Sequence, residues 1–376
     1  MNLNKKPLKK SPLKSNGSYP VEIKTINGSF NFDLFRFKSP TGSSNYFREC
    51  NIFGDSLGER ASYESNQIKD FVCHFASKMS YENVSELIKQ RSGAVSISDQ
   101  RIQRIVIEKS LSIEKEQEKL IEKYKHIVMP ILEKGSLYDP LIKEVIWMED
   151  GVSVSKQKGK RDKIAKNGKQ RTITDMILLE KPTGSFECTV AANAICLTTL
   201  SMAKLKENYS GKNINLVAIS DGLRTIKNRS IELFGEQYQH ILDWYHLKKK
   251  IKELMSMIAP NKDFKSQYVS ELSTLLWHGN IEQAIGKLEK YQTKNQEKHQ
   301  ELVDYLKKNQ RYVIDYAKRK AAGKTIGSGR MEKAIDSIVA RRQKEKAMSW
   351  SPKGSNALAV VTAHVANFKS ATINLH

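Results

Sequence analysis

Two short apolar runs in this chain break off at a carboxylate and give way at once to a helical pattern: Ala218-Ile219-Ser220 before Asp221-Gly222, and His240-Ile241-Leu242 before Asp243-Trp244-Tyr245-His246. A buried strand that ends on an acidic side chain delivers it to the edge of a sheet. A third run, Val145-Ile146-Trp147-Met148, ends in Glu149-Asp150-Gly151, and Glu332 lies far downstream in Gly327-Ser328-Gly329-Arg330-Met331-Glu332. Carboxylates are oxygen donors of the kind a hard divalent cation prefers. Singly, an Asp before Gly at a strand end is more often a turn residue than a ligand. The set, in a very basic chain, is what points to chemistry.

That basic character narrows the partners. Among 376 residues, 63 Lys and Arg stand against 41 Asp and Glu, a net charge of +22. Such an excess favours a polyanion, nucleic acid before a membrane face. The length allows two or three domains with real cores. No apolar run approaches the roughly 20 residues of a spanning helix, and the N-terminus lacks the apolar centre of a signal peptide, so a soluble, intracellular protein is expected. Cys50, Cys73, Cys188 and Cys196 form no C-x-x-C pair, which argues for reduced, buried thiols over a zinc site.

Several elements must position the acidic residues. Residues 1–18, rich in Lys with little to bury, suggest a disordered basic arm, either touching phosphate or merely solvated. Alternating apolar residues on both sides of Asn27-Gly28 predict a hairpin within a small β region, 19–66, whose second half is Gly/Ser/Pro-rich loop. From Gln67 the period turns helical. Ile68, Phe71, Val72, Phe75, Ala76 and Met79 share one face; Ser80 caps a second helix; Ser98 caps a third with Ile102, Ile105 and Val106 inward. Three short helices with a Gly-containing turn before the last suggest a helix-turn-helix over 67–111, although other three-helix bundles share the pattern. Gln100, Arg101, Gln103 and Arg104 would then lie outward, with donors suited to base edges and phosphates. A Glu/Lys-rich helical spacer, 112–140, follows.

From 141 to 262 the spacing predicts an α/β core: strands at 145–154, 171–179, 186–191, 214–220 and 239–242, the first three antiparallel in a mixed sheet. A Lys-rich loop, 156–169, joins the first two. Residues 263–322 are wholly helical in period and interrupt the core, which resumes over 323–368 before a tail at 369–376. Arg341, Arg342 and Lys344 form a basic exit from the helix bearing Glu332, near Trp350. These could line a DNA channel, or form an ordinary solvated face.

The ordered set of Glu149-Asp150-Gly151, Ser220-Asp221-Gly222, Asp243-Trp244-Tyr245-His246, a helical insertion and Gly327-Ser328-Gly329-Arg330-Met331-Glu332 resembles bacterial insertion-sequence transposases. So does the stretch from Ala340 to Lys344 and Met348-Ser349-Trp350. The likeness, over roughly residues 80–368, is to DDE enzymes related to the Mutator-like group. It implies a ribonuclease H-like mixed five-stranded sheet with an all-helical insertion, preceded by the helix-turn-helix domain and the small β element. It implies that Asp150, Asp221 and Glu332 hold two Mg²⁺ ions, with Mn²⁺ able to substitute, and that Asp243 and His246 support them. Two such ions about 3.5–4 Å apart can activate an attacking oxygen and stabilise a leaving one. The implied substrate is double-stranded DNA, as terminal repeats and target, in a bacterial, nucleoid-associated cytoplasmic protein with no membrane role; a homo-oligomer on DNA is allowed.

Alternatives remain at this level. Glu149 competes with Asp150, since adjacent strand residues face opposite ways; Asp336 competes less well with Glu332. Asp243 could simply cap its helix. A catalytically inactive or domesticated DNA-binding protein would need no triad. Another ribonuclease H-like nuclease would share the triad without a sequence-reading domain.

Overall fold

The computed structural model describes residues 14–38, 45–47, 62–93, 95–157, 170–235, 237–345 and 348–373. They fall into two compact units: the residues up to Ile113 together with Ser351–Val365, and Glu114–Trp350 together with the residues from Ala366. Most of the expected N-terminal arm and of the Lys-rich loop at 156–169 lies outside the described residues.

The first unit begins with β1 (Lys14–Thr25) and β2 (Gly28–Lys38), an antiparallel hairpin. The arm was expected to reach residue 18, but Lys14–Ser18 are already paired strand. Thr25 pairs with Gly28, so the two-residue turn is Ile26-Asn27 and Gly28, at φ +128, takes the backbone shape a side chain resists. Strands β3 (Asn45–Phe47) and β4 (Ser62–Glu64) flank the hairpin in the order β3-β2-β1-β4, where sequence alone suggested loop. Helices α1 (Asn66–Ala76) and α2 (Tyr81–Ser92) start where Ser65 and Ser80 accept the N–H of Ile68 and Asn83 through their side chains. Gly93, at φ +76, ends α2.

Helix α3 (Asp99–Tyr124) corrects the division between third helix and spacer at residue 112: it runs unbroken through that point. No Gly or Pro interrupts those 26 residues, so nothing in the backbone would stop the helix. Its buried face carries Ile102, Ile105 and Val106, as the period predicts.

The second unit is built on a five-stranded mixed sheet. After the short β5 (Ile131–Leu132) come β6 (Val145–Ser155), β7 (Arg171–Glu180) and β8 (Phe186–Thr189), antiparallel in sequence. Helix α4 (Ala194–Tyr209) crosses over to β9 (Asn213–Ile214), which pairs with β5, and to β10 (Leu216–Ser220), parallel to β6. Helix α5 (Arg224–Phe234) then leads to β11 (Gln239–Leu242), parallel to β10. The order is β11-β10-β6-β7-β8. Every residue of β10 is buried, as befits a central strand covered on both faces. Trp147, Leu179, Leu200, Leu205, Leu216 and Phe234 belong to the core packed on one face.

Helix α6 (Trp244–Ile258) follows β11, and then the helical interruption: α7 (Lys262–Trp277), α8 (Ile281–Leu288), α9 (Gln296–Asn309) and α10 (Tyr316–Ala321). The chain returns through α11 (Gly329–Ile335), a π-helical turn at Asp336–Ala340, and α12 (Arg341–Gln343). Helix α13 (Pro352–Ile373) takes in most of the expected tail, and its Ser351–Val365 portion groups with the first unit, not with the core that the sequence placed it in. A nearly all-apolar stretch fits either core, so its pattern could not choose. Among the described residues, no helix is long and apolar enough to cross a membrane.

A buried ion network ties the helical interruption to the sheet. Arg319 in α10, fully buried, forks onto Glu144 just before β6, at 2.8 and 2.6 Å, and donates to the carbonyls of Thr325 and Leu137. Lys324 reaches the same carboxylate at 2.9 Å. Removing one partner strands two desolvated charges. Glu144→Ala is expected to cost about 3–5 kcal/mol, read as a lower urea midpoint at unchanged m value; a change within about 0.5 kcal/mol, the size of an ordinary surface substitution, would refute the network's role.

Candidate active site

The sheet register sets the acidic residues level with one another. Ile219 pairs with Met148, and Asp221 and Asp150 each lie two residues further on. Ser220 pairs with Leu242, and Asp221 and Asp243 each follow by one. Three aspartates thus lie level on three neighbouring parallel strands, where strand spacing is about 4.8 Å: Asp221 and Asp243 just past the ends of β10 and β11, and Asp150 within the longer β6, which runs on to Ser155. Glu149 faces the other way. It is buried against Arg229 of α5, and burial pushes its carboxyl up to about 7 although Arg229 opposes the shift. Of the two rivals, Asp150 is therefore the one on the shared edge.

Asp150 accepts the Gly151 N–H at 2.7 Å. Its carboxyl is held above the ordinary range, by burial first and by the negative charges of Asp221 and Glu332, while the Gly151 N–H and His246 oppose. Asp221 closes its own turn by accepting the Leu223 N–H at 2.9 Å. That turn needs Gly222: φ is +85, and a Cβ there would stand 2.8 Å from Leu242 and 3.0 Å from Asn309.

Glu332 reaches this edge through Asp243. One oxygen of Asp243 accepts the N–H of Tyr245 (2.6 Å) and of His246 (3.1 Å), capping α6. The other accepts the N–H of Ser328 at 2.5 Å and its hydroxyl, anchoring the loop that opens α11. Burial pulls the Asp243 carboxyl up, but hydrogen bonds from His246 and Ser328 win and hold it below its ordinary value. The loop lies so close that a Cβ on Gly327 would stand 2.5 Å from the Tyr245 ring. His246 sits between: its Nδ1 is 3.3 Å from Asp243 and its Nε2 is 3.9 Å from Glu332. Asp243 chiefly, with Asp150 and Asp221, raises the His246 pKa against desolvation.

As placed, no three His, Cys, Asp or Glu side chains among the described residues are close enough to share one metal ion. The Glu332 side chain is 58% exposed and lies 3.9 Å from His246. The donor set still suits a hard cation, being oxygen throughout; the Asp150 carboxyl is raised by burial first, and the smaller repulsion from Asp221 and Glu332 is what a cation would relieve.

Several residues at this edge carried no signal in the sequence. Lys227 of α5 is buried and donates to Asn309 of α9 at 2.9 Å, behind the Asp221 turn. Ser220 joins His240 at 2.9 Å, and burial lowers the His240 pKa to about 4, so that imidazole is neutral. A cavity of about 390 Å³ opens beside Asp221 and His246, lined also by Arg224, Lys249, Lys250, Tyr305 and Lys308. Helical period hinted at α5 and α6, but nothing local linked them to α9.

The residues expected to touch DNA divide. In the first unit Gln100 and Arg104 are exposed and Gln103 is half-buried. Arg101 is committed within its own unit, forked onto Glu64 at 2.8 and 2.7 Å and bonded to Glu108 at 2.7 Å, so it is not a free reading group in this structure. In the second unit Arg341, paired with Asp336, and Lys344 are exposed. Arg342 and Trp350 are buried, with the guanidinium 5.0 Å from the ring centre and the indole N–H bonded to Gln343. Packing takes both away from a channel wall, which corrects the expectation that they line one.

No protein-family model matches the chain, and no curated protein does. Among solved structures it is similar to a Drosophila P element transposase strand transfer complex, with 10% identity over 85% of this chain and 82% of that one and a TM-score of 0.27. A superposition that loose leaves fold and chemistry to be argued from the chain's own geometry.

Two substitutions test the anchor. Asp243→Ala removes a helix cap and the Ser328 contacts, and is expected to cost about 2–4 kcal/mol at neutral pH. Because the folded pKa of Asp243 lies below the ordinary aspartate value of about 3.9, its stabilisation is complete above about pH 4 and is lost as pH falls through the lowered value. Denaturant midpoints across that range should show wild type losing more stability on acidification than Asp243→Asn; parallel curves would overturn the assignment. Gly327→Ala is expected to cost about 1–3 kcal/mol by overpacking against Tyr245, measured the same way.

Proposed function

We propose that the protein is a DNA transposase, cutting at the ends of a mobile element and joining the freed 3′-hydroxyl to target DNA by metal-dependent transesterification. The observation that carries this reading is the level register of Asp150 and Asp221 on adjacent parallel strands, with Glu332 and His246 within electrostatic reach. The sheet order, three antiparallel strands flanked by two parallel ones on one side, is compatible with the ribonuclease H-like core that the sequence resemblance implies.

In this reading Asp150, Asp221 and Glu332 hold the ions. Two Mg²⁺, or Mn²⁺ in their place, would activate the attacking oxygen and stabilise the leaving one in an in-line displacement. The chain's own contribution is placement. Asp243 fixes α11 to the strand edge, and His246, its pKa raised chiefly by Asp243, stands between that carboxylate and Glu332. Arg224, Lys249 and Lys308 line the adjacent cavity and would grip phosphate oxygens as DNA enters. Because phosphoryl transfer is mostly positioning and charge stabilisation, no covalent enzyme intermediate is required. The helices of the first unit, with Gln100, Gln103 and Arg104, would bind the terminal repeats.

A second reading, a DNA-binding protein without catalysis, is favoured by one observation: among the described residues no three carboxylate, His or Cys side chains are gathered closely enough to hold a metal ion. Asp221→Asn separates the two. Under the transposase reading it keeps DNA affinity and loses Mg²⁺-dependent cleavage and strand transfer by about a hundredfold or more, and chelation abolishes both in the wild type. Undiminished strand transfer by the variant would refute the site, and wild type inert on every pre-nicked DNA end with Mg²⁺ or Mn²⁺ would favour the second reading. Both readings require affinity that drops steeply with salt, by a log-log slope of about 0.9 per neutralised duplex phosphate.

A further inference from the structure

The second unit contains a larger cleft, about 1020 Å³, that the proposed chemistry does not use. It is walled by α6, α7 and α10 and lies on the other flank of α6 from the cavity beside Asp221: Lys249 and Lys250 line that cavity, whereas Lys248 and Lys252 line this cleft. Lys262, Lys265 and Lys320 complete a lysine set with no carboxylate in the wall. None of the five is ion-paired among the described residues, whereas Lys250 is held by Glu301 at 2.9 Å. Five uncompensated ammonium groups on one concave surface need an anion.

The rest of the lining says which anion. Trp244, Tyr245 and Trp277 enter the wall, and Tyr245 is 55% exposed. Trp277 is braced by Trp244, with ring centres 4.8 Å apart, and by Tyr316, stacked at 6.3 Å, while Lys320 lies 5.8 Å from its ring centre. Ser273, whose buried hydroxyl makes no hydrogen bond in the described structure, also lines the wall. Aromatic faces beside lysines recognise bases with their phosphates, and bases offer their faces only when unpaired. Tyr245 also places the cleft next to the acidic edge, being adjacent to His246 and packed over Gly327.

We propose that this cleft binds an unpaired DNA strand: Lys248, Lys252, Lys262, Lys265 and Lys320 along its phosphates, with Tyr245 and Trp277 stacking on its bases. The strand would be the segment next to the phosphodiester at the acidic edge, a role that rests on the DNA-processing reading above. A cleft of about 1020 Å³ with lysines on three helices suits a strand better than a single nucleotide, which would leave most of those charges unmatched.

The test is fluorescence anisotropy of the full chain with a labelled oligo-dT of about 12 nucleotides, within the site size of single-strand binders, and with a blunt duplex. Lys252→Glu/Lys265→Glu is expected to weaken oligo-dT binding at least tenfold, to lower its log-log salt slope by about 1.4, two phosphates' worth, and to weaken duplex binding far less. Trp277→Leu, which keeps apolar bulk, is expected to lower oligo-dT affinity roughly fivefold or more by lost stacking, with folding checked by circular dichroism. Unchanged oligo-dT affinity in a folded charge-reversal variant, equal losses for both DNAs, or displacement of the oligonucleotide by a free nucleoside triphosphate at equal concentration would each overturn the proposal. Asp221→Asn is expected to bind oligo-dT like wild type, so failure of the catalytic reading and failure of this one are separately visible.

Discussion

One buried carboxylate organises the second unit. Asp243, with no solvent exposure, divides its two oxygens between the first turn of α6 and the Ser328 loop. The arrangement meets the demands of burial, because four donors surround the charge and the N-terminal dipole of α6 favours it. It also does what no local interaction could. The segments it joins are separated in sequence by the whole helical interruption, and the join is what sets Glu332 near the strand edge. Gly327 follows as a steric necessity, since only a residue without Cβ lets the loop approach Tyr245 so closely.

A second layer of buried charge holds the interruption in place. The Arg319, Glu144 and Lys324 network fixes α10 and the returning chain against the entry to β6, and the Lys227–Asn309 bond fixes the end of α9 behind the Asp221 turn. Pairs like these contribute little net stability compared with apolar packing, but each is costly to leave half-made. They therefore discriminate against alternative dockings of the helices. Trp244, Trp277 and Tyr316 pack in the same region, so apolar contact supplies the adhesion and the ion pairs supply the register.

The electrostatics of the acidic edge are those of a place built for positive charge. Asp150 is raised by burial and by its neighbours, and His246 is raised by Asp243, Asp150 and Asp221. Around this edge lie Arg224, Lys249 and Lys308, and beyond α6 the five lysines of the larger cleft. A chain of net charge +22 could spread its lysines evenly over solvent; here two lysine-bearing hollows flank the acidic centre.

What the sequence determined by itself is what depends on local period and local caps. The strands at β6, β7, β10 and β11, the helices that follow Asp221 and Asp243, and the Ser80 and Ser98 starts were all legible, because a two- or 3.6-residue apolar rhythm and a side-chain cap are properties of contiguous residues. The alignment of Asp150 with Asp221 was legible only as a likelihood of shared location; inter-strand register made it a geometry. Tertiary structure alone decided that Glu149 turns to Arg229, that Arg101 is held by Glu64 and Glu108, and that Arg342 and Trp350 are buried together. It alone joined the end of α13 to one unit and its start to another, and made one helix of what composition divided in two. Each of those outcomes depends on which distant charge or apolar surface a residue meets, and that is set by packing across the chain, not by its neighbours along it.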